Sequence, residues 1–289
     1  MFQHDREHVD QVLGYFSRKA DEYDLVDQQV YWNLSDRLLW AMLEEQAISR
    51  LPGGFRFLDA GGGTGRWSER ILRAVPSSRG VLFDLSEAMA GKAKEKAARG
   101  GFEDRFQVQI GHLEEVGRFF APGSFDLIFN FHNVLGFVQD VPHVVEQLVS
   151  LLSDKGLFVS FLPNKYHCMF FNIYRNEIAE AEMPLQSDRG RFTGDMPHIH
   201  MFTPEGLKQL YGRAGLKVRC LTGFPSLIYP GVQETQLRGS TSSLQNILSS
   251  SDHFERIYQM EKAVAGNPDV AGRGNNLFIV GAKEDVKLG

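Results

Sequence analysis

Apolar positions over the first fifty residues recur three and four apart, and from residue 55 onward short apolar runs alternate with amphipathic ones. Val12, Tyr15, Phe16, Ala20 and Tyr23 fall on one face at helical spacing; Leu34, Leu38, Leu39 and Met42 do so in a second helical run over 31–48. Leu51-Pro52-Gly53-Gly54 punctuates its end. Strands are then predicted at 55–60, 80–85, 105–110 and 125–131, the last after the turn Pro122-Gly123-Ser124. Between the first three lie helices at 66–75 and at 87–99, the second Lys/Ala-rich and closed by Gly100-Gly101; a helix at 142–152 and a strand at 156–162 follow. Strand and helix alternating at this interval imply right-handed crossovers and an α/β unit, its sheet mainly parallel with helices on both faces.

The rhythm breaks after Pro163. The stretch 165–201 predicts an amphipathic helix carrying Phe170, Ile173, Tyr174 and Ile178, followed by a polar, Gly-containing loop. A helix at 204–214 and a strand at 216–221 restore the pattern. A second irregular stretch, 224–273, holds a predicted helix at 252–265, and 276–282 is a closing apolar strand. The expected organisation is an N-terminal helical cap over 1–50, an α/β core over 51–164 and a lid insertion over 165–202. The rest of the core spans 203–289, with a helical insertion at 224–273, so that three separate segments build a helical lid. There is no internal repeat, and 240–251 is merely Ser-rich.

Composition narrows the partners. With 31 Lys+Arg against 36 Asp+Glu the net charge is −5, which argues against sequence-independent binding to a phosphate backbone but leaves room for a local basic groove. Hydrophobic content of 43% and charged content of 23% describe a folded domain, and the 22 Phe imply a large core. Cys168 and Cys220 are too few for a disulfide framework, so a reducing, cytoplasmic setting is expected. No signal-peptide core follows Met1, and no window approaches the ~18 apolar residues of a membrane span; no membrane partner is expected.

The strongest chemical signal is Leu58-Asp59-Ala60-Gly61-Gly62-Gly63-Thr64-Gly65-Arg66, set between a predicted strand and a predicted helix. Glycines let a ligand approach the backbone, and a helix N-terminus favours an anionic group. The spacing is D-x-G-x-G-x-G rather than the G-x-G-x-x-G of a dinucleotide site. Asp84 ends the second strand, where a carboxylate can accept two ribose hydroxyls. Together these favour a nucleoside-bearing ligand without a pyrophosphate.

These residues, with Asp84-Leu85-Ser86-Glu87-Ala88-Met89, Phe125-Asp126-Leu127-Ile128, Phe202-Thr203-Pro204-Glu205-Gly206-Leu207 and Ala214-Gly215-Leu216, resemble the class I S-adenosylmethionine-dependent methyltransferases over nearly the whole chain. The resemblance implies a Rossmann-like, seven-stranded α/β fold and S-adenosyl-L-methionine as cofactor. It implies Asp59 and Gly61 near the methionine end, Gly63 and Gly65 shaping the turn, Asp84 on the ribose diol, and Leu85 and Met89 flanking the adenine. Asn130 and Phe131, ending the fourth strand, are expected beside the cofactor. Where the family commonly has an acidic residue after the third strand, this chain has His112. Two arrangements are open: a neutral His112 nitrogen accepts from the adenine amino group, or the Leu113 backbone reads the adenine edge.

The reaction centre implied by the resemblance lies at Asn130-Phe131-His132-Asn133, without the Asn/Asp-Pro-Pro-Tyr tetrad of nucleobase amine methylation. His132 is the candidate catalytic residue, able to deprotonate a hydroxyl or orient a carboxylate; its other reading is a capping or sheet-edge histidine. Tyr23, Trp32, His167, Tyr174, Arg175, His198 and His200 are the candidate substrate-binding residues. Aromatic faces stabilise a sulfonium, and arginines can pair with an acidic substrate. His198-Ile199-His200 sets two imidazoles on one face of an extended segment. No further ligand cluster has suitable spacing, and methyl transfer from a sulfonium needs no metal, so none is expected.

Within the family, Phe16-Ser17-Arg18, Phe131-His132, Val134-Leu135 and Pro163-Asn164 resemble the bacterial tRNA 5-carboxymethoxyuridine methyltransferases, which esterify a wobble-base carboxylate. Those enzymes carry a lysine run in the lid; here 183–191 has two arginines and one aspartate. A small, partly hydrophobic metabolite methylated on oxygen is therefore the favoured substrate, with a tRNA wobble uridine as the second reading. A non-catalytic, cofactor-binding regulatory protein is the third. A monomer or homodimer is expected.

Overall fold

The computed structural model describes residues 3–229 and 243–283; residues 230–242 of the second irregular stretch lie outside the described residues. The strands of the main sheet are β1 (Arg56–Ala60), β2 (Arg79–Asp84), β3 (Phe106–Ile110), β4 (Phe125–Asn130), β5 (Leu152–Pro163), β8 (Lys217–Phe224) and β9 (Asn276–Ala282). A two-stranded hairpin, β6 (Arg189–Gly190) with β7 (Ile199–His200), lies apart from them. The sheet order is β3-β2-β1-β4-β5-β9-β8. The first five strands pair in parallel, and β9 runs antiparallel to both its neighbours. The expected seven-stranded, mainly parallel sheet is thus present, and its chain reversal between β1 and β4 puts a crevice at their carboxyl ends.

Strand residues alternate between two cores, as the pleat requires. Phe57, Phe129, Val159 and Phe278 face one side, where α2 (Val30–Gln46), α3 (Arg66–Ala74) and α4 (Glu87–Gly100) pack. Leu58, Ile128, Phe158 and Ile279 face the other, under α6 (Val141–Leu151) and α9 (Pro204–Arg213). The phenylalanine excess is largely core: Phe57, Phe83, Phe125, Phe129, Phe158, Phe161, Phe224 and Phe278 are fully buried. Helix starts follow side-chain capping: Ser86 Oγ accepts from Met89 N, Asp140 from His143 N, and Thr203 Oγ1 from Gly206 N.

The structure departs from the sequence pattern in the cap and lid. Helix α1 (Gln3–Lys19) ends before Ala20, so Tyr23 sits on a separate 3₁₀ turn, Tyr23–Gln28; Ile48 likewise lies on a 3₁₀ turn beyond α2. The single lid helix is two, α7 (Lys165–Tyr174) and α8 (Ile178–Ser187), broken where Asn176 adopts a φ of 61°. Phe170, Ile173, Tyr174 and Ile178 are all exposed, Tyr174 by 81%. The face of α7 that is buried carries His167, Cys168, Phe171 and Asn172 instead, because residues 189–201 fold back against it. Asn172 Nδ2 donates to Arg191 O at 2.9 Å.

Among the described residues, the helices of the C-terminal insertion do not cover the crevice either. Helices α10 (Ser243–Ser249) and α11 (Ser251–Ala265) pack on α2, where the Arg37 guanidinium lies 3.7 Å over the Tyr258 ring and 2.7 Å from Glu255. Helix α1, the 3₁₀ turn at 23–28, the one-turn α5 (Val134–Phe137) and the α7–β7 segment are what surround it.

Candidate functional site

The glycine loop leaves β1 and enters α3. Gly61 has a φ of 80° and its amide donates to Phe83 O at 2.7 Å; a Cβ there would lie 2.4 Å from Val134. Gly63 (φ 55°) directs its N–H to Asp84 Oδ2 at 2.8 Å, and Ser86 N donates to Asp84 Oδ1 at the same distance. The loop is therefore shaped around Asp84, whose two oxygens each keep a lone pair for the cavity. Gly65 caps α3 in the left-handed region, packed against Ala93 behind the loop and away from the cavity.

Asp59 is buried, and Ser68 Oγ donates to its Oδ2 at 2.7 Å. Burial pushes its carboxyl up to about 7, and burial also raises Asp84. Among the described residues neither carboxylate has a basic side chain within ion-pair distance. Two buried acids around one cavity without a counter-cation suit a ligand bringing positive charge and hydroxyl donors.

That cavity, of about 130 Å³, is lined by Asp59, Gly61, Gly63, Asp84, Leu85, Met89, His112, Leu113 and Phe131, with His132 at one side. Of the residues expected around a cofactor, Asn130 is the other one that does not reach it. Asn130 is fully buried below β4, donating from Nδ2 to Ser160 Oγ at 2.9 Å, which in turn meets the Tyr211 hydroxyl at 2.6 Å.

A second chamber of about 210 Å³ adjoins the first, and Phe16, Tyr23, Arg66, His132 and Phe137 line both. Its remaining wall includes Tyr15, Trp32, His167, Phe171 and Phe192. Tyr23, Trp32 and His167 thus come together as the sequence predicts. Tyr174, Arg175, His198 and His200 do not. Tyr174 points to solvent, and Arg175 Nη1 donates to Phe192 O. His198 Nε2 meets Glu180 Oε2 at 2.9 Å, beside the Arg191–Glu180 ion pair, and His200 Nε2 accepts from Arg189 at 2.9 Å. The charged partners on α8 and in the hairpin draw these groups into holding the lid together. Among the described residues no group of three or more His, Cys, Asp or Glu gathers in a way that could hold a metal ion.

His132 and Asn133 close β4 with φ values of 53° and 73°, a strained turn that holds the imidazole at the junction of the two chambers. The Trp67 indole, which can only donate, points at His132 Nε2 at 2.9 Å, so that nitrogen carries the lone pair and Nδ1 the proton. Burial holds this imidazole below its ordinary value, against a smaller upward pull from Asp36, whose Oδ1 lies 3.4 Å from Nε2.

Asp36, Arg66 and Trp67 are residues that motif spacing passed over. Asp36 is a carboxylate within the apolar stripe of α2, only 7% exposed, and binds Arg66 at 2.7 Å; Arg66 also pairs with Asp27. A charged residue inside an apolar stripe is a readable signal that a partner awaits it. The same cap segment is latched to the loop side by Asp24, which takes Lys96 and Thr64 Oγ1, both at 2.7 Å.

A methyltransferase domain family matches residues 31–221, well over half of the 289-residue chain. The chain belongs to that family. Methyltransferases of this kind use S-adenosyl-L-methionine, and so does this chain: it is an enzyme of that class. Among curated relatives, the tRNA 5-carboxymethoxyuridine methyltransferase of Escherichia coli K12 is 28% identical over 190 residues, 64% of this chain and 71% of that protein. The ubiquinone/menaquinone biosynthesis C-methyltransferase of Dinoroseobacter shibae is 25% identical over 76% of this chain and 89% of its own. The solved geranyl diphosphate C-methyltransferase of Streptomyces coelicolor superposes with a TM-score of 0.54 at 14% identity, covering 86% of this chain and 79% of that one. The [4+2]-cyclase SpnF does so with a TM-score of 0.52 at 16% identity, over 86% and 81%. At such identities the neighbours define the methyltransferase fold and leave the acceptor open.

Proposed function

We propose that this methyltransferase transfers a methyl group to an oxygen of a small, partly hydrophobic molecule held in the second chamber. The observation that supports this is the aromatic chamber itself, which meets the cofactor cavity at His132 and Tyr23. In this proposal Asp59 and Gly61 hold the methionine end, Asp84 accepts from the ribose diol, and Leu85 and Met89 flank the adenine beside His112 and Leu113. The bound cofactor supplies an electrophilic methyl on a sulfonium. The chain supplies alignment of acceptor and methyl and a dry, aromatic enclosure.

His132 is assigned to hold the acceptor oxygen. With its Nε2 lone pair occupied by Trp67, it presents a donor rather than a base. Tyr23, pushed up to about 12 by burial, is likewise a neutral hydroxyl at pH 7. Two donors without a base favour an acceptor that arrives as an oxyanion, a carboxylate or an acidic hydroxyl, whose methylation leaves no proton for the enzyme to remove.

The second reading, a modified tRNA wobble uridine, draws on the Escherichia coli relative. Four of the cations around the cap and lid weigh against it, since they already have anionic partners. Lys92 meets Asp21 at 2.9 Å, Lys165 meets Asp188 at 2.6 Å, Lys19 meets Asp195 at 3.4 Å, and Arg191 pairs with Glu180. Cell extract incubated with the enzyme and isotopically labelled S-adenosylmethionine tests the choice by mass spectrometry. The label is expected in a low-mass product; label confined to ribonuclease-sensitive material would overturn the small-molecule assignment.

A further inference from the structure

Among the described residues, the acceptor chamber contains a buried imidazole that no hydrogen bond ties down. His167 lies on the buried face of α7, is 3% exposed, and among the described residues neither its Nδ1 nor its Nε2 has a hydrogen-bond partner. It lines the part of the chamber wall that the cofactor cavity does not share. Aromatic rings enclose it: Tyr229 at 5.3 Å between centroids, Phe192 at 6.0 Å, and Phe170 and Phe171 each at 6.2 Å. A histidine serving only to pack would be tied to a carbonyl or carboxylate, as His198 is to Glu180 and His8 is to Phe137 O at 2.8 Å.

We propose that His167 is the hydrogen-bonding group of a neutral subsite in the acceptor chamber, and that the acceptor is a planar aromatic molecule with a hydroxyl or carbonyl group placed there. This rests on the chamber being the acceptor site. The ring-lined wall takes a flat apolar body by stacking. An imidazole with one N–H and one lone pair takes a group that can donate or accept. Burial holds His167 down to about 4, so it carries no charge near neutrality. At this wall, away from the His132 and Tyr23 donors that take the acceptor oxyanion, a second ionised group would find no free counter-charge, because the chamber's cations Lys19 and Arg66 are matched to Asp195 and to Asp27 and Asp36.

The test compares two probes, naphthol and a naphthalenediol with hydroxyls at opposite ends, titrated calorimetrically into wild-type enzyme saturated with S-adenosylhomocysteine. The diol is expected to bind about tenfold tighter, since a site built around a hydroxyl penalises its absence. In His167→Leu that ratio is expected to fall to near one, with cofactor affinity unchanged and a melting temperature no lower than wild type, because no internal hydrogen bond is lost. Equal binding of the two probes to wild type would overturn the subsite while leaving the chamber as acceptor site. Binding of neither would overturn both. A lowered melting temperature with the ratio retained would make His167 structural and also overturn the proposal. Should His167→Leu not fold, the wild-type ratio decides alone.

Discussion

The two chambers of this enzyme are built on opposite terms. Around the cofactor cavity the protein's own backbone engages the polar groups: Asp84 takes the amides of Gly63 and Ser86, and Asp59 takes the Ser68 hydroxyl. Around the acceptor chamber, side chains from six chain segments meet, and His167 at its far wall has no hydrogen-bond partner among the described residues. A site whose partners lie close in sequence keeps its geometry when homologues diverge. A site assembled across a cap and a lid is free to change its ligand without disturbing the fold. That contrast fits curated relatives that share methyl transfer and differ in the acceptor.

The sharpest way to break the cofactor side is Gly61→Val. The new side chain meets Val134 where even a Cβ would stand 2.4 Å away, on a backbone with a φ of 80°. Overpacking and a left-handed β-branched residue together cost roughly 2–6 kcal/mol. The expected outcome is loss of measurable cofactor binding and a melting temperature lowered by several degrees. Wild-type affinity in this variant would mean that the loop is not shaped by close approach.

Asp84→Ala is a milder cut in the same half. It removes the acceptor assigned to the ribose hydroxyls and leaves the Gly63 and Ser86 amides to find water. The expected loss is about 1–3 kcal/mol of cofactor affinity, read by calorimetry. Probe binding in the acceptor chamber should change far less, because Asp84 lines only the cofactor cavity. Equal losses in both would show that the chambers are one coupled site rather than two.

The same contrast governs what the sequence makes legible. The parallel strands and the glycine loop can be read from residues 55–162, because apolar runs, glycines and Asp84 act within one crossover of each other. Asn130 departs from its expected place there, since the fourth strand's end turns His132 to the junction of the two chambers and buries Asn130 against Ser160. The lid resists reading for a physical reason. Phe170, Ile173 and Tyr174 have the spacing of a buried stripe, yet α7 turns that stripe outward. Its polar residues His167 and Asn172 face inward, where the chamber and the Arg191 carbonyl await them. Periodicity finds a helix's apolar face but not which face a ligand will use. His198 and Arg175 fail similarly, since Glu180 and the Phe192 carbonyl, distant in pattern but adjacent in space, claim them.

The smallest expected effect is also the one that separates charge from shape in the cofactor half. Asp59 has its carboxyl raised from 3.8 to about 7 by burial in the cofactor-free protein. The unfolded chain loses that proton near its ordinary value while the folded one keeps it. The group's contribution to stability is therefore full below about pH 4 and is lost as pH rises through about 7. A cationic ligand reverses the preference, because it favours the ionised carboxylate. Binding should then release a proton below pH 7, and affinity should weaken about tenfold between pH 8 and pH 6 as the competent fraction shrinks. In Asp59→Asn the affinity is expected to be weaker throughout but flat over the same range. A wild-type profile that is already flat would mean that Asp59 is ionised before the ligand arrives. The Ser68 hydroxyl would then outweigh the cost of burial, and the cofactor cavity would be preorganised in charge as well as in backbone.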